Sequence, residues 1–453
     1  MRHFKPFLLL AMLMVILAGC GEANTTQSQS NGPTQITFWY GLGGNNGKVV
    51  QSLIDKYNKS QKKYHVVGVF QSSYDDTLNK FNSSIAGNNL PNLVQIYDIG
   101  TQRMIDTKKI VPVQTLVERD HLQSAIDDIE PAIRSYYTIN NTLYSMPFNS
   151  STAVMYFDKN AFRKAGLNPD QKLWTYDQLL DAAKKLTVKD ASGKVSRTGV
   201  ALYDYSWLYE QEQAISDTLQ AQPENGRTGR ASKFIFNNQA GDQWLTFQKQ
   251  LMDQGSATYS SSSASTDASS AFLSGKAAIM FDSIASLRGY TTTAEKNGGK
   301  IDIGTAYLPR PADAKGRNII GGASLWVTNQ GSSAQQDGAW DFIKYAIQPE
   351  TQAYWSSNTG YIPVRLSTYN LPDMKATLSK YPQFIMATEQ IRASSTNNRN
   401  AGCVAGNLTS VRTYIQQATD QYLTGKVKDP QSALDDAAKK ANSSLSDYNE
   451  AYQ

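Results

Sequence analysis

The amino-acid sequence predicts an α/β fold with more than one domain. Strand-like and helical stretches alternate in the order β-α-β-α-β from Ile36, and a similar alternation begins again near Pro147. The chain has 453 residues, whereas a single hydrophobic core stops growing at about 250–300 residues. These observations favour two α/β domains, each with a mostly parallel sheet covered by helices.

The first region is predicted from the spacing of its apolar residues. Strands are expected at 36–40, 64–70 and 93–97, with helices near 49–57 and 77–85 between them. The first helix is recognised from apolar residues at helical spacing, namely Val49, Val50, Leu53, Ile54 and Tyr57. Ligands lie beyond the carboxyl ends of strands in such sheets, so the loops 40–47, 71–75 and 98–101 are where a site is expected.

The second region is interleaved with later parts of the chain. A strand at 154–157 precedes helices at 159–165 and 175–185, and Thr175 suits the N-terminal turn of the latter helix. Further strands are predicted at 277–281 and 323–328, and further helices at 339–346, 350–356 and 433–448.

The N-terminus predicts a lipoprotein signal. A basic start and the apolar run 7–17 lead into the box Leu17-Ala-Gly-Cys20, and the run is shorter than the roughly 20 residues that span a bilayer. We expect residues 1–19 to be removed, Cys20 to carry lipid, and residues 20–34 to form a flexible linker. The mature protein is therefore expected outside the cytoplasm, anchored to the membrane. The alternative is a signal peptide that happens to contain a cysteine.

Charge and motifs argue against several classes of function. Loss of two basic residues with the signal lowers the formal charge from +5 to +3. The sequence also lacks the dense run of Lys and Arg that is typical of nucleic-acid-binding proteins. No nucleophile elbow or metal-ligand spacing occurs, so we predict no catalytic residue, no metal and no cofactor. The glycine-rich loop 41–48 fails both common nucleotide templates and is predicted to be a turn. A glycosidase needs only two carboxylates, so the spacing of residues in the sequence does not exclude glycosidase activity.

Several polar strings together resemble one family. The most specific are Gln95–Thr101, Pro147–Thr152, Asp158–Gly166, Ile319–Val327 and Thr359–Pro363. Polar loops rich in small residues occur at 147–152, 282–283, 320–326 and 359–363, and each of these loops alone would be typical of a turn or a helix cap. Together with the leader they closely resemble the extracellular solute-binding proteins of ABC importers, in the glycerol-3-phosphate-binding branch of the maltodextrin-binding-like family. The resemblance covers nearly the whole mature chain.

The resemblance implies a fold and a function. The fold is a two-lobed periplasmic-binding-protein clamp, type II-like, with ligand between discontinuous lobes: 35–149 plus 286–338 as lobe 1, and 150–285 plus 339–453 as lobe 2. The function is capture of glycerol-3-phosphate or a glycerophosphodiester by a monomer, which delivers it to the transmembrane subunits of an ABC permease. A neutral oligosaccharide receptor is the first alternative, and a surface glycoside hydrolase is the second.

The resemblance also implies residues that hold the glycerol part of the ligand. Tyr74 matches a tyrosine that lines the cleft. Asp98, which stands where the branch usually has glutamate, is similar to the group that receives the glycerol hydroxyls. Ser151 and Ser283 match hydroxyl donors.

Three further residues are implied to hold the phosphate. Gly322 looks like the glycine whose backbone N–H meets the phosphate, and Tyr361 looks like its hydroxyl partner. Arg412 matches the arginine that pairs with the phosphate charge; a guanidinium suits this role because its fork matches phosphate geometry. From the sequence without the resemblance, a surface salt bridge would be preferred for Arg412.

Departures from the family pattern bear on the identity of the ligand. Tyr40 replaces a histidine, and Tyr176 stands where the branch often has a tryptophan, so a bulkier head group such as glycerophosphocholine could be admitted. Aromatic candidates for stacking or cation–π contact with a choline are Trp39, Tyr176, Trp207 and Trp326. Core packing is the commoner position of a tryptophan.

Overall fold

The computed structural model describes residues 32–452. The predicted signal, Cys20 and most of the predicted linker lie outside these residues. The first stretch contains β1 (Thr34–Tyr40), α1 (Gly44–Ser60), β2 (Tyr64–Phe70), α2 (Tyr74–Ser84), β3 (Leu93–Tyr97), α3 (Thr101–Asp106), β4 (Ile110–Val111), α4 (Val113–Arg119), α5 (Gln123–Asp127), α6 (Pro131–Tyr137), β5 (Thr138–Ile139), β6 (Thr142–Leu143) and β7 (Met146–Ser151).

The remaining elements follow in two stretches. The second contains β8 (Ala153–Asp158), α7 (Lys159–Lys164), α8 (Tyr176–Leu186), β9 (Val188–Lys189), β10 (Val195–Tyr203), α9 (Ser206–Ile215), β11 (Ala221–Gln222), β12 (Lys233–Phe234), α10 (Gln239–Asp253), β13 (Ala257–Ser260), α11 (Thr266–Leu273), β14 (Ala277–Ser283), α12 (Leu287–Lys296) and β15 (Ile303–Ala306). The third contains β16 (Gly321–Thr328), α13 (Ser333–Ala346), α14 (Pro349–Thr359), α15 (Pro372–Lys380), α16 (Met386–Ile391), α17 (Leu408–Leu423) and α18 (Pro430–Ala451).

The first sheet has the strand order β2-β1-β3-β16-β4, and β7 also pairs with β16. β1 is parallel to β2 and β3, whereas β16 runs antiparallel to its neighbours. The predicted apolar face of α1 is confirmed, because the same five residues that recur at helical spacing are the buried ones. This sheet supplies the loops after β1 and β3 in which a site was expected.

The second sheet has the order β13-β10-β14-β8-β15, with β9 on β10. β10, β13 and β14 are parallel, and β8 is antiparallel to both β14 and β15. α8 begins with a capping box in which Thr175 accepts from the backbone N–H of Gln178, as the sequence predicted. Each sheet is thus a parallel group extended by strands whose antiparallel direction the sequence did not indicate.

The chain passes between the two sheets more than once. It moves from the first sheet to the second at Thr152 and returns between β15 and β16. α13 then packs on β1 and α14 on α1, while α17 and α18 pack on α10. The lobe boundaries at 149, 285 and 338 stay predictions. Because β15 belongs to the second sheet and α13 and α14 cover the first, we propose boundaries near 152, 307–320 and 360 instead.

Within residues 32–452, no helix combines the length and apolar character needed to cross a bilayer.

Candidate functional site

A cavity of about 240 Å³ lies where the two sheets face each other. Its walls come from the starts of α1, α2, α9 and β16, the ends of β3, β7 and β14, the segments after β3, β10, β14 and α14, and one face of α17. The lining residues are Asn46, Tyr74, Tyr97, Asp98, Ser151, Tyr205, Trp207, Asp282, Ser283, Ala285, Ser286, Gly322, Tyr361 and Arg412.

Most residues that the sequence predicted for the site line this cavity. They are Tyr74, Asp98, Ser151, Ser283, Gly322, Tyr361, Arg412 and Trp207. They come from positions as far apart in the chain as α2 and α17, so the fold brings them together over long sequence distances. Their role in holding a ligand stays a prediction.

Two predicted site residues lie elsewhere. Tyr40 is buried beside Phe38 and Phe70, with ring centroids 5.6 and 5.8 Å away, because alternate residues of β1 share a face of the sheet. Tyr176 stacks on Phe247 at 4.3 Å and donates from its hydroxyl to Oε2 of Glu212 at 2.5 Å. Neither ring lines the cavity.

Two of the tryptophans considered for a choline are also outside the cavity. Trp326 is fully buried in the middle of β16, and Trp39 is buried in β1 with the ammonium of Lys80 4.7 Å from its ring. Both belong to the hydrophobic core. Trp207 is the member of the group that lines the cavity.

Arg412 is held between two carboxylates. Its Nε donates to Oε1 of Glu210 at 2.6 Å, and its Nη2 donates to Oε2 of Glu210 at 2.8 Å and to Oδ2 of Asp98 at 3.1 Å. Side-chain exposure is 17% for Arg412, 5% for Asp98 and 6% for Glu210. The remaining Nη1 has no hydrogen-bond partner among residues 32–452, so this edge of the guanidinium is available to a ligand.

The electrostatic balance of this cluster favours the arginine cation. Burial acts to lower the pKa of Arg412, but the charges of Glu210 and Asp98 raise it well above the ordinary value. Burial raises the pKa of Asp98 to about 6, although Arg412 opposes the shift. Arg412 therefore stays charged, while Asp98 titrates near neutral pH.

Gly322 is required by the backbone at the cavity wall. Its φ is +98°, in a region that L side chains rarely adopt. A Cβ there would lie 1.9 Å from the carbonyl oxygen of Asn149 in the paired strand β7. The neighbouring Ser151 is buried, and its hydroxyl has no hydrogen-bond partner within the described residues. Strand pairing thus presents a backbone and a free hydroxyl to the cavity.

Tyr74 and Tyr361 form a hydroxyl pair at the cavity wall. Their hydroxyl oxygens are 3.2 Å apart, and Nδ2 of Asn149 donates to the hydroxyl of Tyr74 at 2.8 Å. Tyr74 also stacks on Tyr97 at 5.5 Å. Burial raises the pKa of both Tyr74 and Tyr361, so their hydroxyls are neutral hydrogen-bond groups.

Asp282 supplies a second lining carboxylate. It accepts from the hydroxyl of Tyr203 at 2.9 Å and from the hydroxyl of Tyr290. Burial raises its pKa, and these hydrogen bonds act against the shift. Next to it, the Ser283 hydroxyl oxygen accepts from the backbone N–H of Ala285 at 3.2 Å, which leaves the hydroxyl hydrogen free to donate.

Aromatic rings close one side of the cavity. Tyr205 lies 5.7 Å from Trp207, and the indole N–H of Trp207 is buried without a partner within the described chain. A Cβ at Gly321 would lie 2.3 Å from the Trp207 ring, so this ring depends on a glycine in β16. The wall therefore combines aromatic faces with one unpaired donor.

Sequence reasoning missed several of the residues at this site. Glu210 was not singled out, although it follows Trp207 by three positions on α9 and so shares a helix face with it. Tyr97 and Tyr205 were not assigned to the site, although the first ends β3 and the second lies just after the end of β10. Asp282 lay in a segment noted for its polarity but received no role, because its tyrosine partners come from β10 and α12.

The chain is similar in sequence to known proteins over most of its length. A family model described as bacterial extracellular solute-binding protein matches residues 52–385. The sn-glycerol-3-phosphate-binding periplasmic protein UgpB of Yersinia pseudotuberculosis is 31% identical over 427 residues, covering 92% of this chain and 94% of that protein. UgpB of Escherichia coli O6:K15:H31 is 31% identical over 418 residues, covering 91% and 92%.

Solved structures share the fold at lower identity. UgpB from Mycobacterium tuberculosis in complex with glycerophosphocholine has a TM-score of 0.74 at 21% identity and covers 92% of this chain and 100% of that chain. The cyclic alpha-maltosyl-1,6-maltose binding protein from Arthrobacter globiformis has a TM-score of 0.71 at 21% identity and covers 91% and 99%. The predicted two-lobed α/β clamp is confirmed. Among the described residues, no cluster of His, Cys, Asp and Glu is arranged to hold a metal ion.

Proposed function

Because the chain belongs to the bacterial extracellular solute-binding proteins, we propose that it captures glycerol-3-phosphate or a glycerophosphodiester for an ABC importer. Members of this family bind small ligands outside the cytoplasm, deliver them to permease subunits, and are not enzymes. The predicted class of function and the predicted lack of catalysis are thereby confirmed. The phosphorylated ligand and the lipid anchor on Cys20 are part of the proposal.

The observation that carries the proposal is the position of Arg412. It is the sole cation among the residues that line the cavity, and its Nη1 edge has no partner among the residues described. A phosphate group needs a fixed positive charge and short hydrogen bonds, and a guanidinium provides both. A neutral oligosaccharide brings no negative charge to this cation.

The neutral donors around the cavity suit the other phosphate oxygens. Tyr361 and Ser283 offer hydroxyl hydrogens, and Gly322 has no side chain between its backbone and the cavity. Carboxylates accept from alcohols, so Asp98 and Asp282 suit the glycerol hydroxyls. The cavity thus has acceptors for a polyol and donors for an anion.

The charge balance favours a glycerophosphodiester over glycerol-3-phosphate. Two lining carboxylates, Asp98 and Asp282, stand against the one cation Arg412, and Glu210 touches that cation from behind. A monoester of phosphate brings two negative charges into this acidic cavity, whereas a diester with a choline brings one negative and one positive. The rings of Tyr205 and Trp207 provide aromatic faces that a quaternary ammonium prefers.

Arg412 also connects the two halves of the protein. Asp98 follows β3 of the first sheet, while Glu210 lies on α9, which follows β10 of the second. Asn46 makes another connection, by donating to the carbonyl of Ala285 at 3.4 Å. A ligand that contacts both halves binds the closed clamp better than the open one and so shifts the population toward closure.

The proposed lipid anchor has a role in delivery. A receptor confined to the membrane meets its permease at a higher effective concentration than a free one. The predicted linker 20–34 would give the clamp freedom to dock. A variant Cys20→Ala, followed by cell fractionation, should move the protein from the membrane fraction to the soluble fraction; retention in the membrane fraction would contradict the anchor.

Calorimetric titration of the purified protein tests the ligand. We expect binding of glycerophosphocholine and glycerol-3-phosphate, with glycerophosphocholine tighter, and no binding of maltose or trehalose. Binding of maltose without either phosphorylated compound would replace the proposal with the oligosaccharide alternative.

A further inference from the structure

A line of hydrogen bonds leads from the backbone of β1 to the cavity. The N–H of Gly41 donates to Oε1 of Gln95 at 3.0 Å, and Nε2 of Gln95 donates to Oδ1 of Asn149 at 2.9 Å. Nδ2 of Asn149 donates to the hydroxyl of Tyr74 at 2.8 Å, and that hydroxyl lies 3.2 Å from the hydroxyl of Tyr361. We call these five residues the relay.

The direction of the relay follows from its first member. A backbone N–H can only donate, so the atom of Gln95 that faces Gly41 must be its oxygen, and the other end of the amide must be NH₂. That NH₂ requires an oxygen on Asn149, which turns the NH₂ of Asn149 toward Tyr74. The backbone N–H of Gly41 thus fixes which end of each side-chain amide is oxygen and which is nitrogen, for both Gln95 and Asn149.

Burial prevents water from reversing this order. Gln95 and Asn149 are fully buried, with no exposed surface. Their amides must therefore find partners inside the protein, because a buried amide left unpaired destabilises the fold. The polarity that starts at Gly41 is carried intact to the tyrosines.

The relay decides what the tyrosine pair offers to a ligand. The Tyr74 oxygen accepts from Asn149, so its own hydrogen is free to reach the oxygen of Tyr361. The hydrogen of Tyr361 then has no acceptor within the described residues and faces the cavity, which Tyr361 lines. With the opposite polarity, Tyr74 would donate to Asn149 and its oxygen would accept from Tyr361. Turning the Tyr361 hydrogen to a ligand would then leave the two hydroxyl oxygens, 3.2 Å apart, without a hydrogen between them.

We propose that Gln95 and Asn149 are positioning residues that make Tyr361 a hydrogen-bond donor and so select an anionic oxygen at this point of the cavity. Neither residue lines the cavity; both act through Tyr74 and Tyr361. The inference rests on the proposed function, because it names the group that meets the anion.

The variant Gln95→Glu tests the polarity with almost no change in shape. An ionised carboxylate accepts from Gly41 and also accepts from Asn149, whose amide must then rotate and present its oxygen to Tyr74. The relay is reversed, and the donor at Tyr361 is lost. Loss of one hydrogen bond to a charged group should weaken glycerol-3-phosphate binding by about 10- to 100-fold at pH 8.5.

Protonation of the introduced carboxyl supplies a specific signature. In its neutral form the carboxyl of the Gln95→Glu variant donates to Asn149 and restores the original order, so the affinity ratio of wild type to variant should fall when the pH is lowered to 6. The groups facing position 95 are Gly41, Asn149 and, beyond them, the tyrosine hydroxyls, which stay neutral in this range. Asp98, which follows the same strand, is present in both proteins, so its titration enters both affinities.

A matched control separates polarity from the cost of a buried charge. Gln248 on α10 is also buried and does not line the cavity, so Gln248→Glu should leave the affinity for glycerol-3-phosphate unchanged. If Gln95→Glu fails to fold, Asn149→Asp provides the same reversal, because its carboxylate accepts from both Gln95 and Tyr74.

A double-mutant cycle with Tyr361→Phe gives the decisive outcome. In the wild-type background this change removes the donor, whereas in the Gln95→Glu background the donor is already lost, so the second loss should be close to zero at pH 8.5. Equal losses in both backgrounds, or unchanged affinity in Gln95→Glu, would overturn the relay. Failure of the wild type to bind either phosphorylated compound would instead overturn the proposed function.

Discussion

The Arg412 cluster makes a strong prediction about stability. Arg412→Ala leaves the carboxylates of Asp98 and Glu210 buried, with side-chain exposures of 5% and 6%, and without their cation. Removing one partner of a buried ion pair costs about 3–5 kcal/mol. We therefore expect the free energy of unfolding at pH 8 to fall by about that amount, which is a large part of the stability of a typical domain.

The pH dependence of this loss has a defined sign. Without Arg412, burial raises the pKa of Asp98 above the value of about 6 that it has beside the arginine. A carboxyl whose folded pKa exceeds its unfolded pKa loses stability as the pH rises between the two values. The destabilisation by Arg412→Ala should accordingly be smaller at pH 5, where Asp98 is protonated, than at pH 8.

Urea unfolding followed by tryptophan fluorescence at both pH values measures this loss. Arg163→Ala is the matched control, because its pair with Asp302 spans 3.0 Å with side chains 53% and 43% exposed, and such pairs contribute about 0–1 kcal/mol. The reasoning is refuted if Arg412→Ala loses no more stability than Arg163→Ala, or if its loss is the same at pH 5 and pH 8.

Two further predictions concern Gly322 and Glu212. Gly322→Ala should lower the thermal unfolding midpoint much more than Gly299→Ala, since both have positive φ but Gly299 has no atom within 4 Å of a new Cβ; Gly299→Ala should cost about 1–2 kcal/mol, and equal midpoint shifts would refute the steric argument. Burial raises the pKa of Glu212 to about 8, so its folded carboxyl loses stability as the pH rises toward 8. Glu212→Gln should therefore raise the midpoint relative to wild type more at pH 9 than at pH 5, and a pH-independent difference would contradict this.

Local patterns predicted most of the elements that build the fold. The apolar spacing on α1 gave its buried face correctly, and the bounds of β2 and β3 match the predicted runs. β8 and β16 were predicted as strands, but their antiparallel pairing could not be predicted, because their partners lie more than one hundred residues away in the chain. No local pattern records such a pairing.

The candidate site was predicted unevenly for a related reason. Family resemblance located Tyr361 and Arg412, whose positions depend on the whole fold. Period-two alternation in β1 already places Tyr40 on the buried side with Phe38, so its exclusion from the cavity was predictable. The partners of Arg412 were not, because an ion pair between Glu210 and a residue 202 positions away leaves no mark on either segment.

The central claim is that the Arg412 cavity binds a phosphate. Titration of glycerol-3-phosphate into wild type and Arg412→Lys by calorimetry tests this most directly, since lysine keeps the charge but loses the fork that holds Glu210 and faces the ligand. We predict measurable binding to wild type and at least about a tenfold loss in the variant. Equal affinity in the two proteins, or no binding of any phosphorylated glycerol compound to wild type, would contradict the account.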